Sequence, residues 1–550
     1  MRRRVVIVGM DGLTFDSAGP LMRAGFMPSL ALAMESGASG VLLSTTPPCT
    51  APAWVSFATG CNPGKHGCFD FLVPNGPSGR FRTVNSHDIH TQTFYEIVAA
   101  SGRKVVLVNL PVSYPPRLAG PENVVITSLM TKGEQAVFPA EMLGRLPILR
   151  QYRIYPDPDI AANGTDAEYI RDIRALERIR FECARALYQA LDWDLFFYLI
   201  SGTDWVQHRR YGQLLEPRAG SQEVEAFAEF DQYLGWFLEN LPQDAHLIIM
   251  SDHGFMARKG IFFINTWLWR EGYLKVGTGV TERVKLSTPQ GVARDRALRK
   301  RRIRPSPTLL RWIGRVPALW DTARLLGRPL KKALGLQLDY RHGSPIFEES
   351  RAFCPWEGMW GIFLNETATP CGGMVGESGP DRDLAQEIRY KLSVLKDPEE
   401  GLPVFDHVFL REELYDGEWV HLGPHLILQS SRFQIETTVT HPGILFRKAR
   451  HQGHSPRGVL IAVGPEIRRN ERIRESSIVD VAPTALHLLD LPIPSDRDGR
   501  VIQEIFRPES EALKRSPRYS APSPQALLPL PTSAEEEQIV EERLRSLGYL

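Results

Sequence analysis

The chain has 550 residues, a hydrophobic content of 43% and a formal net charge of +1 at pH 7. That length accommodates one large domain with insertions or a few smaller domains. The near-neutral charge argues against a general nucleic-acid-binding protein, and no apolar run is long enough to predict a transmembrane helix. The six cysteines contain no CxxC pair, which predicts reduced thiols and a cytoplasmic location.

Two distant segments share one pattern, an apolar run followed by residues of metal-ligating type. Val5–Met10 is followed by Asp11, and Leu247–Met250 is followed closely by Asp252 and His253. Continuous apolar runs of this kind predict strands buried on both faces of a parallel sheet. Because sites gather at the carboxyl ends of such strands, we expect both segments to deliver side chains to one site.

Further strands and helices alternate along the chain. The predicted strands are 104–109, 124–128, 195–201, 361–365, 425–429 and 459–464, and the clearest helical patterns are 166–192 and 223–240. This alternation predicts an α/β protein with a mostly parallel sheet layered between helices.

Four segments, three of them beside predicted strands, supply candidate metal ligands. Asp204 and His208 are spaced i, i+4, so one face of a helix presents both. Carboxylates and imidazoles in combination suit Zn²⁺ or Mn²⁺. Singly, an Asp after a strand is commonly a helix N-cap and a lone His is commonly a packing or surface residue, but the ordered set favours a metal site. Its members are Asp11, Asp204, His208, Asp252, His253 and His454.

The segment Pro47–Gly60 supplies a candidate nucleophile. Thr50 is predicted to be the N-cap of a helix in which Pro52 lies in the first turn and Gly60 marks the C-terminus. A hydroxyl at that place faces the positive end of the helix dipole, where a phosphate or another oxyanion binds. Capping is the commoner use of such a residue and competes for the same oxygen, so the metal context decides between the two roles.

Residues 291–338 differ from the rest of the chain. They contain thirteen basic and two acidic residues, with Trp312 and Trp320 among them. We interpret the region 285–345 as a basic helical cap inserted into a catalytic domain at 1–505. It is expected to cover an anionic substrate, to contact an anionic membrane, or to form a solvated cap. A Pro-rich linker at 506–533 and a C-terminal helix at 534–550 follow.

The order of these motifs resembles the alkaline phosphatase superfamily. Asp11, Thr50-x-Pro, Asp204-x₃-His208, Asp252-His253-Gly and Gly-His454 follow one another as in its type I phosphodiesterase and nucleotide pyrophosphatase branch. Segments 8–12, 50–67 and 478–485 are similar to a prokaryotic phosphohydrolase/phosphomutase subgroup. The resemblance implies an alkaline phosphatase-like three-layer α/β/α sandwich with a mostly parallel central sheet and an inserted basic helical cap.

The resemblance also implies two divalent metal ions, with Zn²⁺ expected and Mn²⁺ as the alternative. The implied ligands are Asp11, Asp252 and His253 for one ion and Asp204, His208 and His454 for the other. Thr50 would lie between the ions, coordinated to the first, as the nucleophile. A threonine hydroxyl is a poor nucleophile until a cation lowers its pKa, and two ions stabilise an in-line displacement. The expected course runs through a phosphothreonine intermediate.

Several positions depart from the family pattern or compete with it. Ala53 stands where nucleotide pyrophosphatases have a phosphate-binding Asn, and no phosphate-binding Arg can be assigned by motif. Cys49 lacks the Pro and Arg that follow a sulfatase nucleophile, so the sulfatase interpretation fails. His451 competes with His454 for the last ligand position, and His66 is expected to lie in a structural turn.

We therefore expect a metal-dependent phosphohydrolase that acts on a small phosphorylated substrate and prefers phosphodiesters. A phosphomonoesterase, or a phosphomutase or phosphotransferase of the same superfamily, is the nearest alternative, since another alcohol could capture the same phosphothreonine. A non-catalytic anion- or membrane-binding module is the remote alternative. No nucleic-acid partner is expected.

Overall fold

The computed structural model describes residues 2–74, 81–118, 120–133, 135–277, 345–356, 360–365, 380–440, 443–522 and 534–547. The basic segment 291–338, almost all of the cap predicted at 285–345 and the later part of the predicted linker lie outside these residues, so their interpretations stay predictions. Within the described part, no helix is both long and apolar enough to cross a membrane.

The centre of the molecule is a ten-stranded sheet. In chain order the strands of the protein are β1 Arg4–Met10, β2 Ala38–Leu43, β3 Leu72–Pro74, β4 Phe81–Thr83, β5 Val105–Leu110, β6 Val124–Thr127, β7 Val137–Phe138, β8 Leu195–Ile200, β9 Ala245–Met250, β10 Gly254–Phe263, β11 Lys275–Val276, β12 Pro345–Ile346, β13 Ala352–Phe353, β14 Gly361–Leu364, β15 His407–Leu410, β16 Leu426–Gln429, β17 Phe433–Glu436, β18 Phe446–Ser455, β19 Arg457–Val463, β20 Glu471–Arg472, β21 Ser476–Ser477, β22 Ile493–Pro494 and β23 Tyr519–Ser520. The central sheet has the order β20-β2-β19-β9-β1-β8-β5-β6-β7, with β21 paired to β2. Its pairs are parallel except those of β19 with β2 and β9 and of β7 with β6.

Helices cover both faces of this sheet. In chain order the α-helices are α1 Phe15–Arg23, α2 Pro28–Ser36, α3 Thr50–Thr59, α4 Pro63–His66, α5 Phe94–Ala100, α6 Met142–Arg145, α7 Pro158–Asn163, α8 Asp166–Ala190, α9 Gly202–Leu214, α10 Gln222–Glu239, α11 Ile264–Arg270, α12 Pro380–Ser393, α13 Arg411–Leu414, α14 Val481–Leu488, α15 Glu511–Lys514 and α16 Ala534–Leu547. Alternate residues of β1 enter two separate cores, Val6 and Val8 one of them and Val5 and Ile7 the other. The first core contains residues of α1, α2, α8, α9 and α10, and the second contains residues of α3, α5 and α14. The predicted three-layer α/β/α fold is confirmed.

A smaller unit with its own core stands apart from the central sheet. It contains the antiparallel sheet β13-β14-β16-β15 and a three-stranded sheet of order β17-β10-β18. Its core includes Ile362, Ile388 and Leu428. The strands predicted at 361–365 and 425–429 therefore do not join the central sheet. Short apolar runs predict a buried strand but not the sheet in which it lies.

Candidate active site

Three adjacent strands of the central sheet end at the same edge and carry most of the candidate ligands. β1 lies between β9 and β8 and runs parallel to both. Asp11 follows β1, Asp252 and His253 follow β9, and Asp204 lies in the first turn of α9, directly after β8. The parallel sheet thus brings together three segments that the sequence predicted to meet.

Asp11, Asp252 and His253, the first ligand group, are fully buried. The Nε2 atom of His253 lies 3.7 Å from Asp11 Oδ1 and 3.3 Å from Asp252 Oδ2. The second oxygen of each carboxylate accepts a hydrogen bond: the Trp54 indole donates to Asp11 Oδ2 at 3.3 Å, and the Gly12 N–H donates to Asp252 Oδ1 at 3.1 Å. Gly12 has φ +65°, a conformation that glycine adopts readily, and this turn directs its N–H to Asp252.

Two oxygen atoms of the first ligand group lack a hydrogen-bond donor within the described part of the chain. Asp11 Oδ1 and Asp252 Oδ2 are buried and accept no hydrogen bond from the described residues. Leaving a buried carboxylate oxygen without a partner is costly, whereas a cation between carboxylates supplies one. One ligand atom from each of Asp11, Asp252 and His253 lies within 4.8 Å of the others, so the donor set fits a divalent metal ion.

The second ligand group consists of Asp204, His208 and His454. His454 Nε2 lies 3.3 Å from Asp204 Oδ1 and 3.0 Å from His208 Nε2, and His208 Nε2 lies 3.5 Å from Asp204 Oδ2. The i, i+4 spacing on α9 presents Asp204 and His208 together, as predicted. His253 adjoins both groups, because its ring stacks on that of His454 with centroids 3.7 Å apart. One nitrogen or oxygen atom from each of Asp204, His253 and His454 lies within 4.8 Å of the others, so these three side chains fit a divalent ion. His208 lies beside them, in contact with His454.

Backbone carbonyls determine which ring nitrogen of His454 and of His253 carries the proton when the ring holds a single one. His454 Nδ1 lies 3.0 Å from the carbonyl oxygen of Pro48, and His253 Nδ1 lies 3.2 Å from that of Gly254. A carbonyl only accepts, so Nδ1–H donates in both and Nε2 keeps its lone pair. Both Nε2 atoms face carboxylates, which is the orientation of an imidazole prepared for a metal.

Thr50 reaches the same place from the start of α3. It is fully buried, and its Oγ1 lies 3.2 Å from His253 Nε2. The predicted N-cap role is wrong, because Cys49 occupies the N-cap position and Thr50 is the first helical residue. Gly60 ends the helix in the left-handed conformation, as predicted. The Thr50 hydroxyl is therefore directed at the ligand groups.

Burial disfavours the charged form of each titratable group here. It raises the pKa of Asp11 well above its ordinary value, with further repulsion from Asp252, and raises that of Asp252 to about 7. It lowers the pKa of His208 to about 4 and that of His253 well below its ordinary value. In Asp204 burial is outweighed by the neighbouring histidines, and the pKa is lowered. Divalent cations favour ionised carboxylates and neutral imidazoles together, so the electrostatics fit metal binding.

The competing positions have other partners. His451 belongs to neither ligand group, and its Nδ1 lies 2.6 Å from the Gln452 carbonyl oxygen. His66 accepts from the Cys68 N–H at Nδ1 over 3.1 Å, so its Nε2–H donates to Ser56 Oγ at 2.8 Å. The prediction of a structural turn for His66 agrees with these contacts.

Three features of the site were missed by sequence reasoning. Trp54 donates to Asp11, the Pro48 carbonyl orients His454, and His454 lies on β18 opposite Phe255 of β10. Only Trp54 could have been predicted from the sequence, because it follows Thr50 by four residues and so lies on the same side of α3. The contact of the Pro48 carbonyl could not, because every residue has a backbone carbonyl.

The sequence and the fold both resemble those of known proteins. The sequence model of the family described as type I phosphodiesterase / nucleotide pyrophosphatase matches residues 5–304, more than half of the chain. A search among curated proteins returned no match.

Two solved structures share the fold over almost the whole chain. Phosphonoacetate hydrolase from Sinorhizobium meliloti 1021, in complex with phosphonoformate, is 16% identical, with 89% of this chain and 96% of that chain covered and a TM-score of 0.53. Human ectonucleotide pyrophosphatase / phosphodiesterase 5 is 10% identical, with 92% and 100% covered and a TM-score of 0.51. At these identities the likeness extends to the fold.

Proposed function

Because the chain belongs to the type I phosphodiesterase / nucleotide pyrophosphatase family, we propose that it is a two-metal phosphoric-ester hydrolase that works through a phosphothreonine at Thr50. The observation that supports this most is the approach of Thr50 Oγ1 to His253, where the two ligand groups meet. The first ligand group holds one ion and the second holds the other. Zn²⁺ suits these nitrogen and carboxylate donors, and Mn²⁺ is the alternative.

The protein's own residues position the nucleophile and the substrate. α3 holds Thr50 at its positive end, which favours an anionic phosphoryl group beside the hydroxyl. Thr50 Oγ1, having lost its proton to solvent, bonds to phosphorus while the bond to the leaving oxygen breaks, and the leaving alcohol takes a proton from solvent. A water oxygen then bonds to phosphorus while the bond to Thr50 Oγ1 breaks, which releases the phosphomonoester, and Thr50 regains its proton. When bound, two divalent ions supply Lewis-acid stabilisation of the nucleophile and of the charge on the leaving group.

A phosphodiester is the proposed substrate class. With neutral histidines and before Thr50 loses its proton, the three carboxylates of the ligand groups and two divalent ions leave a small positive excess. A singly charged diester balances that excess more closely than a doubly charged monoester, which needs a further cation such as an arginine. Ala53 is buried in α3 and supplies no polar contact of the Asn type, so nucleotide-like substrates are not favoured among the diesters.

Thr50→Ala tests the proposal, with Thr50→Ser as the matched control. We expect Thr50→Ala to lower turnover by more than about 10³-fold, since loss of a nucleophile commonly costs more than that, while elemental analysis still finds two ions per chain. Thr50→Ser should retain measurable turnover. Near-wild-type activity in Thr50→Ala would remove the phosphothreonine from the mechanism, and fewer than two ions in the reconstituted wild type would contradict the paired site.

A panel of chromogenic esters tests the substrate class. The wild type, supplied with Zn²⁺ or Mn²⁺ separately, should hydrolyse a phosphodiester faster than the matching phosphomonoester and sulfate ester. A clear monoester preference would favour the phosphomonoesterase alternative. Transfer of phosphate to an added alcohol in place of water would favour the phosphomutase or phosphotransferase alternative.

A further inference from the structure

Arg258 lies on β10 with its guanidinium group buried; the residue is 3% exposed. Its Nη2 donates to the backbone carbonyl of His454 at 2.7 Å. Its Nη1 donates to the carbonyl of Phe433 at 3.1 Å and to that of Ser430. The guanidinium also lies over the ring of Trp360, 4.4 Å from the centroid. One charged side chain on β10 thus connects the backbone of His454, near the end of β18, to the Ser430–Phe433 segment and to Trp360 within the smaller unit.

The interactions of Arg258 are unusual for a buried cation. Among the described residues its partners are backbone carbonyls and an aromatic face, and none is a carboxylate. Burying a charge without an ion partner is expensive, and burial lowers the pKa of Arg258 to about 9. Bonds from a charged donor to carbonyls are stronger than neutral ones and have fixed geometry, because the guanidinium is planar.

The backbone next to His454 is shaped around this side chain. A Cβ atom on Gly453 would lie 3.0 Å from Arg258 Nε and 2.9 Å from Gln434 Oε1, too close for either to stay in place. The β10–β18 ladder shifts register between Arg258 and Gly260, opposite Lys448–His451, and its pairing is regular at His454, which lies opposite Phe255. The guanidinium of Arg258 therefore adds a hydrogen bond to a His454 backbone that already lies in a regular strand pair.

We infer that Arg258 is a positioning residue that sets the place of His454 and so the affinity of the second ligand group for its ion. This inference rests on the proposed function, because it requires that His454 bind a metal. Arg258 acts on the backbone of His454, whereas the Pro48 carbonyl orients its ring. Together the two contacts fix the position of the His454 backbone and the orientation of its imidazole ring.

Zn²⁺ titration of the metal-free full-length chain, with a fluorescent chelator as competitor, tests the inference. The wild type should bind two ions. Arg258→Met should leave one affinity unchanged and weaken the other by roughly 10–100-fold, the usual cost of losing a partner of a ligand. Arg258→Lys, which restores a charge and a donor, should recover part of that loss. Turnover of Arg258→Met should rise with added Zn²⁺, which a general loss of folding would not produce.

Arg432→Met is the matched control. Arg432 lies on the same Ser430–Phe433 turn and donates to Pro403 and Asp397, away from His454. The Arg432→Met variant should bind both Zn²⁺ ions with the wild-type affinities. If Arg258→Met does not fold, Gly453→Ala replaces it, since it displaces the Arg258 side chain without removing its charge and should weaken the same ion.

The outcomes separate the two proposals. Two unchanged affinities, or equal weakening of both ions, in the Arg258 and Gly453 variants would overturn the role of Arg258 and leave the two-metal hydrolase intact. Fewer than two ions in the wild type would instead overturn the proposed function. Selective weakening of one ion, absent from the Arg432 control, supports the inference.

Discussion

The two ligand groups lie side by side but are held by different parts of the fold. Every side chain of the first group is fully buried and stands at the end of a central strand. In the second group only Asp204 is comparably enclosed; the side chains of His208 and His454 are 22% and 14% exposed. His454 comes from β18, outside the central sheet.

The two ligand groups therefore differ in how rigidly their side chains are held and in how easily water reaches them. Strand ends in a packed sheet hold their side chains with little freedom, and water does not reach them easily. A histidine on a strand of a smaller sheet depends on a few contacts, such as those with Pro48 and Arg258. We therefore expect the first group to bind its ion more tightly and the second to exchange its ion faster.

The largest expected effect is the contrast between Asp252→Asn and His208→Ala. Asp252→Asn removes a charge from the enclosed group and should weaken its ion by more than the roughly 100-fold that loss of a supporting contact costs. His208→Ala should have a smaller effect, because water can take the place of an imidazole whose side chain is 22% exposed. Zn²⁺ titration measures both, with His451→Ala as an unaffected control. A larger loss in His208→Ala would reverse the ranking of the groups.

A stepwise loss of metal is the next effect in size. Dialysis of the loaded protein against increasing chelator should remove one ion before the other, with activity lost at the first step. Because a ligand that binds only the folded state stabilises it, Tm should fall again, and further, at the second step. Elemental analysis at each step measures the stoichiometry. Simultaneous loss of both ions would mean that the groups do not differ as proposed.

The sequence predicted the central sheet and its ligands better than it predicted the surroundings. Asp11 and Asp252 follow apolar runs whose parallel pairing is a general rule, so their meeting could be foreseen. The position of His454 on β18 could not be foreseen, because the antiparallel pairing of β18 with β10 depends on contacts between residues distant in sequence. The proposed role of Arg258 in positioning His454 could not be predicted either, because Arg258 donates to backbone carbonyls, which every residue has.

The smallest expected effect concerns His66, a buried histidine outside both ligand groups. Burial lowers its pKa from the ordinary 6.5 to about 3, so the folded state binds fewer protons than the unfolded state between these values. Stability should therefore fall as pH drops below 6.5, with roughly 2 kcal/mol lost by pH 5. In His66→Gln the free energy of unfolding should fall by that much less between pH 7 and pH 5. Urea unfolding of the zinc-loaded protein at pH 7 and pH 5 measures it.

An unchanged pH dependence in His66→Gln would show that His66 is protonated as easily in the folded as in the unfolded chain. Since Gln also removes the charge-neutral imidazole contact with Ser56, the comparison uses the difference between the two pH values and not the absolute stability. Saturating Zn²⁺ keeps the ligand histidines of both groups out of the measurement.

The place of β19 in the central sheet has a consequence for biosynthesis. β19 inserts between β9 and β2, two strands that precede it by long stretches of chain. A nascent polypeptide that has not yet released residues 457–463 from the ribosome leaves the edge of β9 open, with its hydrogen-bonding groups available to another chain. The first ligand group is complete by His253, whereas the second awaits His454, just before β19. The proposed second metal site is therefore complete only when the chain has reached the strand that closes the sheet.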